Sequence, residues 1–333
     1  MQKTAGLIFK RVSELLNDGT VTKVVGWTTG DFVYDVTPAV FTNTDELQNL
    51  VYTSFCGANL SKYLINICKT TAEGKICVLL KPCDTYSFNQ LLTEHRIDRD
   101  KLYVIGVGCD GMVDIEKIRA AGLTGITKVI DNGGEEIEVK TIYGDSKLKK
   151  SEVMLEKCLS CKGKDFKIYD EIIDAIGEKH SDDYKVDRFA GVEMLEKMTS
   201  EERFEFWNNQ LSKCIRCNAC RNACPACSCM KCVFDNPVSG AESKTNATSF
   251  EEKMFHIIRA FHVAGRCTDC GECSRVCPEN IPLHLLNRKF IKDINELYGE
   301  YQAGEEAGSR APLVNFNADE DAEPSIVHER GNC

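Results

Sequence analysis

Two cysteine runs with the same spacing, in the C-terminal third of the chain, constrain what this sequence can fold into more than any other feature. Each run reads C-x2-C-x2-C-x3-C-P, and together the runs contain Cys214, Cys217, Cys220, Cys224, Cys267, Cys270, Cys273 and Cys277. Cysteines three residues apart wrap three corners of a cubane cluster, and the fourth cysteine of each run reaches the other cluster. The runs therefore predict two [4Fe-4S] clusters with exchanged fourth ligands, Cys277 for the first run and Cys224 for the second.

Zinc or a chance spacing is the alternative interpretation, but zinc sites do not require a paired repeat that ends in proline. Between the runs lies the segment FEEKMFHIIRAFHVAG, in which Met254, Ile257, Ile258 and Phe261 share one helical face. The interval from Cys224 to Cys267, which includes this helix, is longer than the corresponding interval of a compact β-type ferredoxin. We therefore predict a mainly helical dicluster ferredoxin domain over residues 213–295.

The first 145 residues alternate helical and extended patterns. The segments ICVLLK and LYVIGVG are typical of buried strands, and AGLIFKRVSELLND and DTYSFNQLLTEH are typical of helices. Such alternation indicates an α/β domain with a largely parallel sheet. We predict an α/β domain over residues 1–180, a helical linker over 181–212 and a flexible acidic tail over 296–333.

Four further cysteines lie where an α/β domain would gather a ligand. Cys83 and Cys109 each follow a buried strand, and open α/β sheets bind ligands at the carboxyl ends of their strands. Cys158 and Cys161 form a CxxC pair on a lysine-rich loop. The four thiols could hold a third cluster. Alternatively, Cys83 and Cys109 are small buried side chains, and the CxxC pair binds zinc or cycles between thiol and disulfide.

Three more cysteines, Cys227, Cys229 and Cys232, follow the first run in the segment CPACSCMKC. Three thiolates do not complete a four-ligand metal site. Cys56, in SFCGAN, lies in a predicted loop and is our candidate for the fourth ligand. These four cysteines predict a further metal site that bridges the two domains.

Composition limits the partners and the compartment. The 333 residues carry a net charge of −10, which disfavours nonspecific binding to nucleic acid or to an anionic membrane. No stretch approaches the roughly 20 apolar residues that span a bilayer. Eleven of the 19 cysteines crowd into residues 214–277 at spacings that suit metal clusters. We expect a cytoplasmic protein with reduced cysteines, no nucleic-acid partner and no membrane insertion.

Several segments resemble one family of redox proteins. They are AGLIFKRVSELLNDGTVTKVVGW, the stretch from KPCD to GCDG, the CLSC loop, the run CIRCNACRNACPACSCMKC, and CTDCGECSRVCPENIPL. On these segments the chain resembles the β subunits of deazaflavin-linked formate dehydrogenases and, more distantly, those of deazaflavin-reducing hydrogenases. The resemblance extends over residues 4–295.

The resemblance implies an iron–sulfur flavoprotein, with FAD in the N-terminal domain and a cluster there on Cys83, Cys109, Cys158 and Cys161. It implies an electron-transfer subunit of a multi-subunit oxidoreductase of anaerobic metabolism, such as a formate dehydrogenase, a hydrogenase or a heterodisulfide-reductase-like complex. In such a subunit the clusters exchange electrons with FAD, and FAD exchanges hydride with a deazaflavin or nicotinamide carrier. The implied partners are a catalytic subunit or an electron-bifurcating flavoprotein, and other iron–sulfur subunits.

No GxGxxG fingerprint follows a strand, so FAD is implied by the resemblance rather than by a motif. Gly106, Gly108 and Gly111 lie at a predicted strand end, permit close backbone approach, and are the predicted FAD contacts. Lys62 and Lys81 are candidates for binding the diphosphate or the reduced flavin. Two other functions fit the cysteines: a flavin-free, polyferredoxin-type relay subunit and a cluster-based thiol/disulfide reductase.

Overall fold

The structure is a computed structural model that describes residues 2–163, 165–174, 186–235, 249–309 and 311–312. The predicted domain boundary at residue 180, the start of the predicted linker at 181–185 and the tail from residue 313 lie outside the described residues. Within these ranges, no helix combines the length and the apolar character needed to cross a bilayer.

The helices are long at the two ends of the chain and short in its middle. In chain order they are α1 (Gln2–Asn17), α2 (Ser61–Thr70), α3 (Pro82–Thr93), α4 (Ile115–Ala120), α5 (Lys150–Val153), α6 (Glu156–Leu159), α7 (Ala190–Glu196), α8 (Ser200–Leu211), α9 (Ala219–Asn222), α10 (Ser249–Val263), α11 (Glu272–Arg275) and α12 (Leu283–Tyr298). Short 3-10 helices lie at Glu46–Asn49, Arg99–Lys101 and Val233–Asp235.

The strands of the described residues form two sheets. They are β1 (Lys23–Thr29), β2 (Val36–Phe41), β3 (Leu50–Val51), β4 (Ile76–Leu80), β5 (Leu102–Val107), β6 (Ile126–Ile130), β7 (Glu136–Thr141), β8 (Gly144–Lys149) and β9 (Glu171–Ile173). In the larger sheet, parallel pairing joins β1, β4, β5 and β9 in that order, and β2 and β3 pair antiparallel with β1. Every residue of β4 is buried, as the central strand of a sheet covered on both faces requires. The mixed α/β architecture predicted from the sequence is confirmed.

The first helix covers one face of this sheet with an apolar stripe. Ile8, Val12 and Leu15 are spaced at three to four residues and are buried in the core that also contains the strands. On its outer side, Arg11 donates from Nε to Glu171 of β9 at 2.9 Å, which ties the helix to the edge strand.

The smaller sheet is an antiparallel meander, β6-β7-β8, which the sequence analysis did not anticipate. Its inner face packs on a separate apolar cluster that includes Ile118, Ile137 and Val139. The side chain of Lys150, the first residue of α5 directly after β8, is buried between two carboxylates. Its Nζ lies 2.5 Å from Asp110 and 3.0 Å from Asp131, so the buried ammonium is neutralised.

The described elements from residue 190 to residue 298 are helices and one 3-10 turn. Helix α8 begins with a reciprocal capping box in which Thr199 and Glu202 each accept from the other's backbone N–H. Phe255, Ile281 and Leu283 form a small core together with Cys220 and Cys273, so the apolar packing of this half surrounds its cysteines.

The C-terminal segment differs from the predicted tail. Helix α12 continues to Tyr298, beyond the predicted start of the tail at 296. Beyond it, the backbone N–H of Gly308 donates to Thr93 Oγ1 at 2.8 Å, and Lys167 lies 2.9 Å from Glu305. Residues up to 309 therefore pack on the α/β half at α3, because their backbone and acidic side chains find partners there that composition does not reveal.

A buried ion-pair network joins the α/β half to the cysteine-rich half. Glu272, at the start of α11, pairs with Lys157 of α6 and with Arg275, and its side chain is 2% exposed. The Glu272 carboxylate also accepts from the backbone N–H of Asn59, at 3.3 Å. Burial alone would raise the pKa of Glu272, but Lys157 and Arg275 lower it well below its ordinary value of 4.5.

We predict that Glu272→Gln lowers the free energy of unfolding by about 3–5 kcal/mol at pH 7, because it leaves Lys157 buried without its counter-charge. Since the folded protein depresses the pKa of Glu272, its contribution is present above pH 4.5 and is lost as the pH falls below that value. The difference between wild type and variant should therefore shrink on acidification, measured by anaerobic urea unfolding. Glu300→Gln, at an exposed glutamate, is the control. An unfolding free energy that is equal in wild type and Glu272→Gln at pH 7 would contradict the assignment.

Candidate iron–sulfur sites

The first cysteine run forms an open loop around a small cavity. Its three leading cysteines line this cavity together with a cysteine of the second run; the four are Cys214, Cys217, Cys220 and Cys277. Burial raises the pKa of Cys220, and the thiolates of Cys214, Cys277 and Cys217 raise it further. The thiol of Cys277 is thus brought to the first run, as the exchanged arrangement requires.

The second run meets the last cysteine of the first. Burial raises the pKa of Cys267, Cys270 and Cys273, and in each case the nearby thiolate of Cys224 adds to the effect. Cys224 follows helix α9 and packs in one apolar cluster with Cys267 of the second run. Cys224 thus lies near the three leading cysteines of the second run, and the exchange of fourth ligands stays a prediction.

The two loops share an unusual backbone conformation. In the first run, Arg216 and Asn218 have positive φ angles of 56° and 60°. In the second run, the residues at the same offsets, Asp269 and Gly271, have φ angles of 52° and 67°. Asparagine, aspartate and glycine adopt this left-handed region most readily. The repeated turns explain how each run curls its three cysteines towards one centre.

A third group of thiols gathers at the carboxyl edge of the larger sheet. Cys83 lies in the first turn of α3, which follows β4 along the chain, and Cys109 follows β5. Cys158 lies in α6, and Cys161 lies just after it. A hydrogen bond between the Cys83 and Cys161 thiols raises the pKa of Cys83 and lowers that of Cys161. Burial raises the pKa of Cys109, and the thiolates of Cys83 and Cys158 raise it further. All four predicted thiols are therefore neighbours.

Backbone amides point at these sulfurs. The N–H of Met112 donates to Cys158 Sγ at 3.4 Å, and the N–H of Gly163 donates to Cys161 Sγ at 3.3 Å. In the first run, the N–H of Arg216 donates to Cys214 Sγ at 3.4 Å. Donors aimed at sulfur favour the thiolate form, which is the form that ligates iron.

Each thiol group draws its four cysteines from at least two separate segments of the chain. Among the described residues, no three His, Cys, Asp or Glu side chains meet at the spacing of a single metal ion. The donor set, four cysteines in each group, fits cubane clusters.

Lys81 lies beneath the third thiol group and not in an open crevice. Its side chain is 1% exposed, its Nζ lies 2.7 Å from Asp84, and it donates to the carbonyl of Ala58 at 2.9 Å. Burial alone would lower the pKa of Lys81, but Asp84 and the thiolates of Cys83 and Cys109 raise it. The structure therefore corrects the predicted diphosphate contact. Lys81 is a buried counter-charge of the thiol group.

The three glycines predicted as FAD contacts do not border an open crevice either. A phenyl carbon of Phe166 lies 2.8 Å from where a Cβ of Gly106 would stand, and the carboxylate of Asp174 occupies the corresponding space at Gly108. At Gly111, with φ 84°, the Met154 methyl group fills this space. Side chains of the protein itself therefore fill the space that the glycines leave free.

Lys62 lies beside three of the cysteines for which the sequence predicted a further metal site. Its Nζ donates to the carbonyl of Cys227, and it lines a cavity of about 390 Å³ with Cys227, Cys229 and Cys232. The structure does not bring Cys56 to these three thiols. Cys56 is fully buried in the core of the α/β half, where its Sγ accepts from the N–H of Thr53 at 3.2 Å. Burial raises its pKa to about 11.

The third thiol group lies against the second. Lys162, next to Cys161, donates to the carbonyl of Thr268, next to Cys267. Arg288 of α12 joins the same loops, because it donates to Ser160 Oγ and to Asp269 Oδ1, both at 2.7 Å. Together with the Lys157–Glu272 pair, these contacts hold the segment 157–162 on the segment 267–275. The first group lies farther out, with Cys217 exposed and Ile215 61% exposed.

A cavity of about 690 Å³ opens between the two halves. Tyr34 and Phe55, whose rings meet edge to face 6.4 Å apart, line one side. Lys157 and Arg275 line another side, and Cys277 also borders the cavity. The volume lies within the range of about 300–1,000 Å³ that is typical of cofactor and ligand sites. Sequence reasoning missed this site, because its walls come from distant segments.

We predict that the exchange of fourth ligands can be read from iron content. In a Cys267→Ser/Cys270→Ser/Cys273→Ser background the second centre is removed. Adding Cys277→Ser should then release or damage a further cluster of about four irons, whereas adding Cys224→Ser should change little. Iron assay and electron paramagnetic resonance after anaerobic reconstitution measure both. The opposite pattern, loss with Cys224→Ser and none with Cys277→Ser, would reject the exchange.

The cysteine-rich part of the chain matches a known family. Residues 210–281 match the family model of the 4Fe-4S dicluster domain, so this part of the chain is a dicluster domain. The match contains both runs and α10, and it supports [4Fe-4S] clusters in the C-terminal half.

Two curated relatives extend over most of the chain. The F420-dependent formate dehydrogenase subunit beta of Methanocaldococcus jannaschii is 27% identical over 358 residues, which cover 91% of this chain and 92% of the relative. The F420-dependent formate dehydrogenase 1 subunit beta of Methanococcus maripaludis is 25% identical over 341 residues, covering 84% and 87% respectively.

A solved structure, the F420-reducing [NiFe] hydrogenase complex from Methanosarcina barkeri, is 14% identical with a TM-score of 0.39. That match covers 47% of this chain and 58% of the other. The curated relatives confirm the resemblance predicted from the sequence: over most of its length, this chain is similar to the β subunits of F420-dependent formate dehydrogenases.

Proposed function

We propose that this chain is the electron-transfer subunit of a multi-subunit oxidoreductase, with three [4Fe-4S] clusters and one FAD. The observation that carries the proposal is the contact between the segment 157–162 and the segment 267–275. Each segment contributes cysteines to a different thiol group, and buried ion pairs and hydrogen bonds hold the segments together. Adjacent redox centres on a rigid support are what an electron relay requires.

The relay has a defined order. The group on Cys83, Cys109, Cys158 and Cys161 is innermost, the group of the second run with Cys224 is next, and the group of the first run with Cys277 is nearest the surface. Exposed Cys217 and Ile215 mark the outer end, where we place the contact with a partner subunit. The chain's own residues supply position and charge: Lys81 and Lys157 lie buried beside thiols of the inner group.

We place FAD in the large cavity between the halves rather than at the glycines. Tyr34 and Phe55 offer apolar ring faces on one side of the cavity, and Lys157 and Arg275, both paired with Glu272, border another side. When bound, FAD supplies hydride exchange with a two-electron carrier and single-electron exchange with clusters. Lys157 directly precedes Cys158, so the cavity borders the segment that carries two cysteines of the inner group.

The relatives suggest the wider reaction. Both are named as β subunits of F420-dependent formate dehydrogenases. By analogy we propose that a catalytic partner subunit, or an electron-bifurcating flavoprotein, exchanges electrons with this chain, that other iron–sulfur subunits join the complex, and that a deazaflavin or nicotinamide carrier exchanges hydride at FAD. All cysteines of the described residues are free, which fits the reducing cytoplasm.

The third cluster is tested by counting iron in the full chain. We predict that the anaerobically reconstituted wild type holds about 12 irons and that Cys83→Ser/Cys109→Ser holds about 8. The control is Cys68→Ser, a half-buried cysteine of α2 outside the thiol groups, which should keep the wild-type content. Equal iron in wild type and double variant, or zinc in place of iron, would refute the third cluster.

The flavin is tested by its absorbance after denaturation of anaerobically purified protein. We predict about one FAD per chain in the wild type and reduced retention in Tyr34→Ala, because the substitution removes a ring that lines the cavity. Tyr143→Ala, at a tyrosine 80% exposed and away from the cavity, is the matched control. Absence of FAD from wild type would favour the flavin-free relay. Full retention in Tyr34→Ala would move FAD out of this cavity.

A further inference from the structure

Arg259 is a buried cation that lies between the two thiol groups of the dicluster domain. It projects from α10, the helix between the two cysteine runs, and it is 3% exposed. Its Nη2 donates to the carbonyl of Cys220 at 3.2 Å, while its Nε has no hydrogen-bond partner among the described residues. A guanidinium buried in this way is costly unless a negative charge compensates it.

The negative groups that face Arg259 most strongly are thiolates. Burial alone would lower the pKa of Arg259, but the thiolates of Cys224, Cys273, Cys227 and Cys220 raise it well above its ordinary value. Cys220 belongs to the first group, and Cys224 and Cys273 belong to the second. The guanidinium contacts both groups, because it donates to the carbonyl of Cys220 in the first group and is hydrogen-bonded to the thiol of Cys273 in the second.

The titratable neighbour on the same helix adds no negative charge. His256 is one turn away and 2% exposed, and burial, with Arg259 and Arg216 nearby, lowers its pKa to about 3. His256 is thus neutral near pH 7. The sulfur ligands on either side are therefore the groups that balance the positive charge of Arg259.

We propose that Arg259 is a shared counter-ion of both clusters of the dicluster domain and sets their reduction potentials together. A [4Fe-4S] cluster with four thiolate ligands is anionic and gains further negative charge on reduction. A fixed positive charge between two such clusters stabilises the reduced form of each, more strongly in a buried environment than in water. Arg259 acts through the clusters' electrostatic surroundings and is a positioning residue, not a ligand.

The proposal rests on the ligand sets proposed above, and the experiment separates the two. The full chain is reconstituted anaerobically, its iron is counted, and its clusters are titrated with electron paramagnetic resonance as the readout. Wild type should first show the iron and signals of two C-terminal clusters, with about eight irons assigned to them. If it does not, the ligand sets fail, and the role of Arg259 fails with them.

With a loaded wild type, three variants test Arg259 itself. Arg259→Gln, which is uncharged, should lower the midpoint potentials of both C-terminal clusters. Arg259→Lys, which keeps the charge, should leave both close to wild type. Arg203→Gln, at a half-buried arginine of α8 that donates to a backbone carbonyl, should change neither.

Each outcome decides the proposal. If Arg259→Gln keeps its iron and either potential stays at the wild-type value, the shared counter-ion is wrong. If Arg259→Gln loses iron while Arg259→Lys retains it, the positive charge is required to assemble the clusters, which supports the proposal. If Arg259→Lys loses iron as well, the shape of the guanidinium matters rather than its charge, and the proposal is overturned.

Discussion

The pairing of Glu272 with Lys157 and Arg275 is the interaction on which the arrangement of this molecule depends. Glu272 stands between Cys270 and Cys273, and Lys157 stands next to Cys158. A single buried carboxylate therefore fixes the loop of one thiol group against the loop of another. Because both partners are almost fully removed from water, a lost charge on either side leaves the other uncompensated. Lys157 and Arg275 also form part of the wall of the large cavity between the halves.

Charge matching with sulfur recurs across the molecule. Lys81 lies under the inner thiol group, Arg259 lies between the two outer groups, and Lys62 reaches from α2 to the backbone of Cys227. Buried cations are rare unless they are paired, and here their strongest opposite charges include thiolates. Since metal binding requires deprotonated thiols, cluster assembly completes the neutralisation of these cations. Folding and cofactor loading should therefore be linked in this protein.

Features that depend on local spacing were predictable from the sequence. The residues of each cysteine run determine the conformation of its loop. The positive φ angles at equivalent positions of the two runs show that each loop curls around one centre in the same way. The α/β alternation was equally readable, because strands such as ICVLL are continuously apolar and buried. The grouping of Cys83, Cys109, Cys158 and Cys161 followed from strand ends and from family resemblance.

Features that depend on distant segments were not predictable. Gly106 and Gly108 looked like an open crevice, yet Phe166 and Asp174, from the segment that contains β9, fill the space beside them. Lys81 looked exposed, because a lysine is usually solvated; its burial needs Asp84 one turn later and the thiols above it. The meander β6-β7-β8 was missed because β8 alternates mostly polar residues that remain exposed or half-buried.

The arrangement of the thiols predicts three clusters in a spatial row, with the inner cluster against the middle one. Anomalous diffraction from anaerobic crystals of the full chain, collected at the iron and zinc absorption edges, tests it most directly. The account predicts three iron sites of about four atoms each. One should lie among Cys83, Cys109, Cys158 and Cys161, and its nearest neighbour should be the site held by Cys267, Cys270, Cys273 and Cys224. Zinc in the inner site, no metal there, or an inner cluster nearest to the site of the first run would contradict it.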